Sequence, residues 1–161
     1  MTVYAYVGSP LGELRLAGER VGAGVVLASV AMVDGPVRDR RNEDVEAFEE
    51  VAAQLRSYFA GELMRFDLEF ADSGTEFQRR VWAALDAIPY GTTVSYGEIA
   101  ARIGAPRDRV RAVAAAIGAN PLLVVRPCHR VIGVNGAMTG YAGGLERKQR
   151  LLALEGVLLG V

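Results

Sequence analysis

Reactive side chains are scarce in this chain. One cysteine, Cys128, and one histidine, His129, serve all 161 residues. A lone cysteine excludes an internal disulfide, and the pair is too few for a zinc site built from several Cys and His ligands. No run approaches the roughly 18 apolar residues that a membrane span needs. The first residues, Met1-Thr2-Val3-Tyr4-Ala5-Tyr6, show no basic stretch leading into an apolar one. No secretory signal is read there, and a soluble cytoplasmic protein is the expectation. No internal repeat is evident. Charged residues make up 23% of the chain and apolar ones 51%. That excludes a disordered or low-complexity chain and suffices for one ordinary core or two small ones.

The net charge of −1 argues against a polyanion partner for the chain taken whole. Its distribution argues otherwise. Residues 1–72 carry 7 Lys/Arg against 13 Asp/Glu, and residues 73–161 carry 11 against 6. A basic C-terminal half suits a polyanion, although ordinary solvated faces would give the same count.

Hydrophobic periodicity predicts an α/β (α+β) chain of two domains, 1–72 and 73–161. Tyr4–Val7, Glu13–Leu16 and Gly22–Val30 read as an antiparallel meander with a turn cluster at Gly8–Gly12. Asp34 to Asn42 is polar and reads as a loop. Glu43 to Ala60 has helical spacing stopped by Gly61, and Phe66–Phe70 alternates like one more strand. Beyond a linker at 71–75, helices dominate. Ser73 or Thr75 caps a helix running through Ile88. Thr93–Ile103 and Arg107–Gly118, joined by Gly104-Ala105-Pro106, have the spacing of a helix-turn-helix. The glycines between Val131 and Gly140 suit a hairpin-like wing, and Leu145–Leu154 is a last helix closed by Gly156.

Pro127-Cys128-His129-Arg130-Val131 is where chemistry concentrates. A thiol attacks as thiolate, and a neighbouring imidazole can take its proton directly or through a water. A carboxylate that orients the imidazole strengthens it as a base. Glu155 is a candidate, because an acid near a helix C-terminus opposes the macrodipole and needs a partner. The plainer alternative is a buried thiol beside a hydrogen-bonded core histidine, with Glu155 solvated.

The same segment, followed by Ile132-Gly133, resembles the O6-alkylguanine-DNA alkyltransferases (methylated-DNA–protein-cysteine methyltransferases). The resemblance runs from Phe77 to Gly156 without a gap and more weakly over the N-terminal domain. It also rests on Ile88-Pro89-Tyr90-Gly91, Val94-Ser95-Tyr96, Arg111-Ala112-Val113, Asn120-Pro121 and Gly140-Tyr141-Ala142-Gly143-Gly144. It implies a ribonuclease-H-like supporting domain and a helical domain with a winged helix-turn-helix. It further implies a monomer that binds duplex DNA containing O6-alkylguanine and moves the alkyl group, once and irreversibly, to Cys128, with no metal or organic cofactor.

The resemblance also implies roles. His129 is the base through a bridging water, Glu155 orients it, and Asn120 ties the recognition helix to the active-site strand. Arg111 enters the duplex where the guanine has flipped out, and Tyr96 crowds the target phosphate. The small residues Ala112 and Ala115 allow close approach in the minor groove. Tyr141 walls the substrate pocket beside Pro127, the Ala142 N–H donates to the guanine oxygen, and the Cys128 and Val131 carbonyls accept from the guanine amine. Two positions depart from the family pattern. Ala114 stands where glycine is usual, and Arg126 stands where an aliphatic residue is usual. A guanidinium so close to the site must find a carboxylate, a phosphate or water. Contact with DNA, or a reshaped pocket margin, is the expectation for Arg126.

Overall fold

Alternating apolar residues near the N-terminus close into a three-stranded antiparallel sheet. In a computed structural model, which describes residues 1–36, 39–138 and 140–157, the strands are β1 (Thr2–Ser9), β2 (Gly12–Val21) and β3 (Gly24–Met32), in that spatial order. Leu14, Leu16, Leu27 and Val30 turn to the core face and are fully buried. The β2–β3 register shifts between Ala17 and Gly18. Only glycine fits at 18, because a Cβ there would collide with the Val26 carbonyl.

Helix α1 (Glu49–Phe59) brings Phe48, Val51, Leu55 and Tyr58 to the same core. It begins later than the expected Glu43. The residues before it serve the sheet instead: the Tyr4 N–H donates to the Asn42 carbonyl and the Tyr4 carbonyl accepts from the Asp44 N–H. These bonds satisfy an edge strand, so that stretch is unavailable for helix. Phe66–Phe70 likewise forms no full strand. It keeps its alternating exposure but makes one isolated bridge, Leu27 with Phe70.

The chain divides into two compact units, Met1–Asp72 and Ser73–Val161. The second opens with α2 (Glu76–Asp86), started by Thr75. The Thr75 hydroxyl accepts from the Gln78 N–H at 3.1 Å and the Gln78 side chain accepts from the Thr75 N–H at 2.9 Å, a reciprocal capping box. Thr75→Ala is expected to destabilise this unit by about 1 kcal/mol, while Thr75→Ser changes little. Urea unfolding followed by the fluorescence of Trp82, the single tryptophan, measures it.

Val94–Ser95 is extended (β4), so the second expected helix is shorter than Thr93–Ile103. It is α3 (Tyr96–Arg102), capped by the Ser95 hydroxyl on the Glu98 N–H. A 3-10 turn at Arg107–Arg109 leads into α4 (Val110–Gly118), completing the helix-turn-helix. Val131–Ile132 (β5) pairs in parallel with β4. The expected hairpin-like wing therefore is not a hairpin among the described residues. Its strand partner comes from 37 residues upstream, and a short 3-10 turn at Val134–Gly136 follows, with Asn135 left-handed. Thr139 in that stretch lies outside the described residues. The last helix is α5 (Leu145–Leu154).

Candidate active site

Cys128 is delivered by a cramped piece of backbone. The Val125 N–H donates to the Leu123 carbonyl at 2.8 Å around Val124, whose φ is +70°. A β-branched residue rarely adopts that conformation, and its presence marks a segment held by its surroundings. Three residues on, the Cys128 N–H donates to the Arg126 carbonyl at 2.7 Å around Pro127 (φ −80°, ψ 57°), an inverse γ-turn. Asn120, at the end of α4, holds this loop from inside. Its Oδ1 accepts from the Leu122 N–H at 3.0 Å, and its Nδ2 donates to the Leu122 and Arg126 carbonyls, each at 3.3 Å. Asn120 also favours the Cys128 thiolate.

Behind the sulfur lies a buried charged cluster. His129 is fully enclosed, and its Nε2 donates to Glu155 Oε2 at 2.8 Å. Glu155 caps the C-terminus of α5, where the helix dipole disfavours a carboxylate. Arg130 compensates: its Nε and Nη2 donate to the two Glu155 oxygens at 2.7 and 3.0 Å. Its Nη1 donates to the Ile88 carbonyl at 2.6 Å. The Ile88-Pro89-Tyr90-Gly91 turn is shaped for this end of α5. A Cβ at Gly91, itself at φ +77°, would lie 3.2 Å from the Glu155 carbonyl oxygen.

With Nε2 donating to a carboxylate, Nδ1 of His129 is left as an acceptor, the tautomer a base requires. It has no hydrogen-bond partner among the described residues. Burial holds the His129 pKa below its ordinary value against the pull of Glu155, and burial raises that of the Cys128 thiol. At neutral pH the site therefore rests as neutral thiol beside neutral imidazole.

Cys128 opens on a cavity of about 500 Å³. Tyr96, Ala114, Leu123, Tyr141 and Ala142 stand around it. A longer groove of about 850 Å³ continues over the helix-turn-helix, sharing Tyr96 and Ala114 and adding the exposed Arg107 and Arg111. The structure thus brings Cys128, His129, Glu155, Asn120, Pro127, Tyr141 and Ala142 to one place and puts Tyr96 and Arg111 on the approach to it. Ala112 is half-buried and Ala115 exposed on α4, and neither lines the cavity or the groove. Ala114, one of the departures from the family pattern, lines both.

Arg126 does not reach outward. It is 9% exposed, lies over the Trp82 ring at 5.1 Å, and pairs with Asp86 Oδ1 at 3.3 Å. A carboxylate of the protein meets its need, which corrects the expectation of a DNA contact.

Sequence reasoning missed Lys148. The only lysine of the chain, it is fully buried on α5, and its Nζ donates to the carbonyls of Val131 at 2.6 Å and Gly140 at 3.4 Å. Burial lowers its pKa to about 8, opposed by the nearby Cys128. The signal was present: Lys148, Leu151, Leu152 and Glu155 share the spacing of one helix face, which puts a charge on a buried stripe.

Residues 76–157 match the DNA-binding domain of 6-O-methylguanine DNA methyltransferase, and residues 2–71 match its ribonuclease-like domain. A methylated-DNA–protein-cysteine methyltransferase of Mycolicibacterium paratuberculosis is 54% identical over 158 residues, covering 96% of this chain and 93% of that protein. The crystal structure of the Mycobacterium tuberculosis O6-methylguanine methyltransferase superposes with a TM-score of 0.84 at 49% identity, covering 96% and 93% of the two chains. A structure of the Mycobacterium tuberculosis protein in complex with DNA gives 0.83 at 50% identity, covering 94% and 91%. The chain belongs to the methylated-DNA–protein-cysteine methyltransferase family, the proteins that repair O6-alkylated guanine in DNA by transfer of the alkyl group to an active cysteine.

Proposed function

We propose that Cys128 is the acceptor and that residues around it act as follows on duplex DNA carrying O6-alkylguanine. The observation that carries this reading is the His129–Glu155 pair at 2.8 Å directly behind a cysteine that faces a base-sized cavity. Arg111 enters the duplex from α4 and fills the gap left by the flipped nucleotide, while Tyr96 crowds its phosphate. Ala112 and Ala115 let the helix approach the minor groove closely. The Tyr141 ring walls the pocket, and the Ala142 N–H donates to the guanine oxygen.

A water between Sγ and Nδ1 of His129 passes the thiol proton to the imidazole, and Glu155 stabilises the imidazolium. Sulfur attacks the alkyl carbon as the carbon–oxygen bond breaks. The guanine leaves with the electron pair and takes the proton back. The thioether product is too poor a leaving group for water to displace, so each molecule acts once, as a monomer. A free thiol nucleophile suits the reducing cytoplasm.

Intact mass and peptide mapping after incubation with a duplex holding one O6-methylguanine test this. One methyl per molecule on Cys128, absent in Cys128→Ala, is the expected result. Tight lesion-dependent binding with unchanged mass would replace transfer by recognition alone. Many product molecules per protein would mean a turnover hydrolase.

A further inference from the structure

Arg126 stands one residue before Pro127 and two before the nucleophile, yet its side chain turns back into the protein. Three groups receive it. The Trp82 indole lies beneath the guanidinium, Asp86 pairs with Nε, and Asn120 Oδ1 accepts from Nη1 at 3.4 Å. Each contact leads toward the site. Trp82 donates its ring N–H to the Ala116 carbonyl of α4 at 2.8 Å, so the platform under Arg126 is fixed to the recognition helix. Asn120 is the residue whose amide holds the Cys128 loop. Asp86 is the outer member, with its side chain 44% exposed.

An asparagine amide has two faces of opposite character. With Oδ1 occupied by donors from Leu122 and Arg126, the NH₂ side must face the Leu122 and Arg126 carbonyls. A cation on the oxygen side polarises the amide and makes its N–H groups better donors. The guanidinium is also a permanent charge in a water-poor setting, where its attraction for a thiolate is weakly screened.

We propose that Arg126 is a positioning residue for Cys128: wedged between Trp82, Asp86 and Asn120, it fixes the Asn120 amide that holds the Cys128 loop and provides a fixed positive charge two residues before the nucleophile. This rests on Cys128 being the nucleophile. Other groups also face the sulfur. Lys148 from α5 favours the thiolate, Tyr141 lies across the cavity, and His129 stands beside it with Glu155 beyond. None of these contacts Asp86. Asp86 therefore gives a handle of opposite sign, because neutralising it removes an anion from beside the Arg126 guanidinium.

Because Cys128 is the only cysteine, its reaction with iodoacetamide can be read by intact mass without DNA. The rate against pH is measured for the parent chain, Arg126→Met, Arg126→Lys and Asp86→Asn. Arg126→Met is expected to slow the reaction at pH 7 by about 3- to 10-fold and to move the midpoint up by about half a unit to one unit. Arg126→Lys should restore part of the loss, and Asp86→Asn should move the midpoint down. A midpoint unchanged in Arg126→Met, or one that rises in Asp86→Asn as well, overturns the proposal, the second because it would mark general loosening. Should Arg126→Met fail to fold, the sign of the Asp86→Asn shift decides alone. Methyl transfer by the parent chain tests the nucleophile separately, so failure of that reading leaves the thiol titration standing and recognisable.

Discussion

Glu155→Leu is expected to cost about 3–5 kcal/mol of stability and to slow alkyl transfer severely. Glu155, Arg130 and His129 are all buried, and the carboxylate takes three hydrogen bonds from the other two. Removing it leaves the Arg130 guanidinium enclosed, with the Ile88 carbonyl as its remaining acceptor among the described residues. The loss is therefore chiefly that of an orphaned charge rather than of the pair's own attraction. The double variant Glu155→Leu/Arg130→Met should recover much of the stability, since both charges are then gone. It should not recover the rate, because His129 still lacks the acceptor that fixes its tautomer. Urea unfolding and single-turnover transfer on the two variants and the parent chain separate the two effects. Recovery of both together would mean that Glu155 matters to transfer only through folding.

Lys148→Met is expected to change stability in a strongly pH-dependent way. Folding holds the Lys148 pKa at about 8, against an ordinary 10.5. Between those values the unfolded chain binds a proton that the folded chain does not, so the lysine makes stability rise with pH across that window. Below pH 8 both states are protonated and the full penalty of burying the ammonium is present. Methionine removes this penalty but also the bonds to the Val131 and Gly140 carbonyls, a loss that does not depend on pH. The stability of Lys148→Met relative to the parent should thus fall between pH 7 and pH 10.5, by an amount on the order of 2–3 kcal/mol. Urea unfolding of both proteins at the two pH values gives this difference directly. A difference that stays constant would show that Lys148 titrates normally when folded. Transfer should slow at both, since the strand after the nucleophile and the loop before Tyr141 lose the side chain that joins them.

Much of the fold was legible because its signals are local. The Thr75–Gln78 box, the apolar stripe of α2 and the glycine-marked turns each specify their own element. What escaped depended on partners distant in sequence. Glu43–Phe48 has helical spacing, but the edge of β1 takes the backbone at 42–44, and 45–48 close only as turns. Val131–Ile132 looks like half of a hairpin, but pairs with Val94–Ser95. At the site, the Cys128-His129 adjacency was visible as chemistry, and Glu155 stood out because it offends its helix dipole. Arg130 did not stand out, since an arginine beside a reactive dipeptide reads equally well as a surface residue. Arg126 was noticed as a departure but sent in the wrong direction, because Asp86 and Trp82, 40 or more residues away in sequence, are what enclose it.

The alanines of α4 have a consequence for the thermodynamics of association. Ala112, Ala114 and Ala115 have no rotamers to lose when DNA covers them, whereas an arginine surrenders up to about 2 kcal/mol of side-chain entropy. On the reading proposed above, ordering on that helix falls almost wholly on Arg111. The rest of the surface is already in its bound shape before the duplex arrives, so search along undamaged DNA need not freeze and release a field of long side chains at every step.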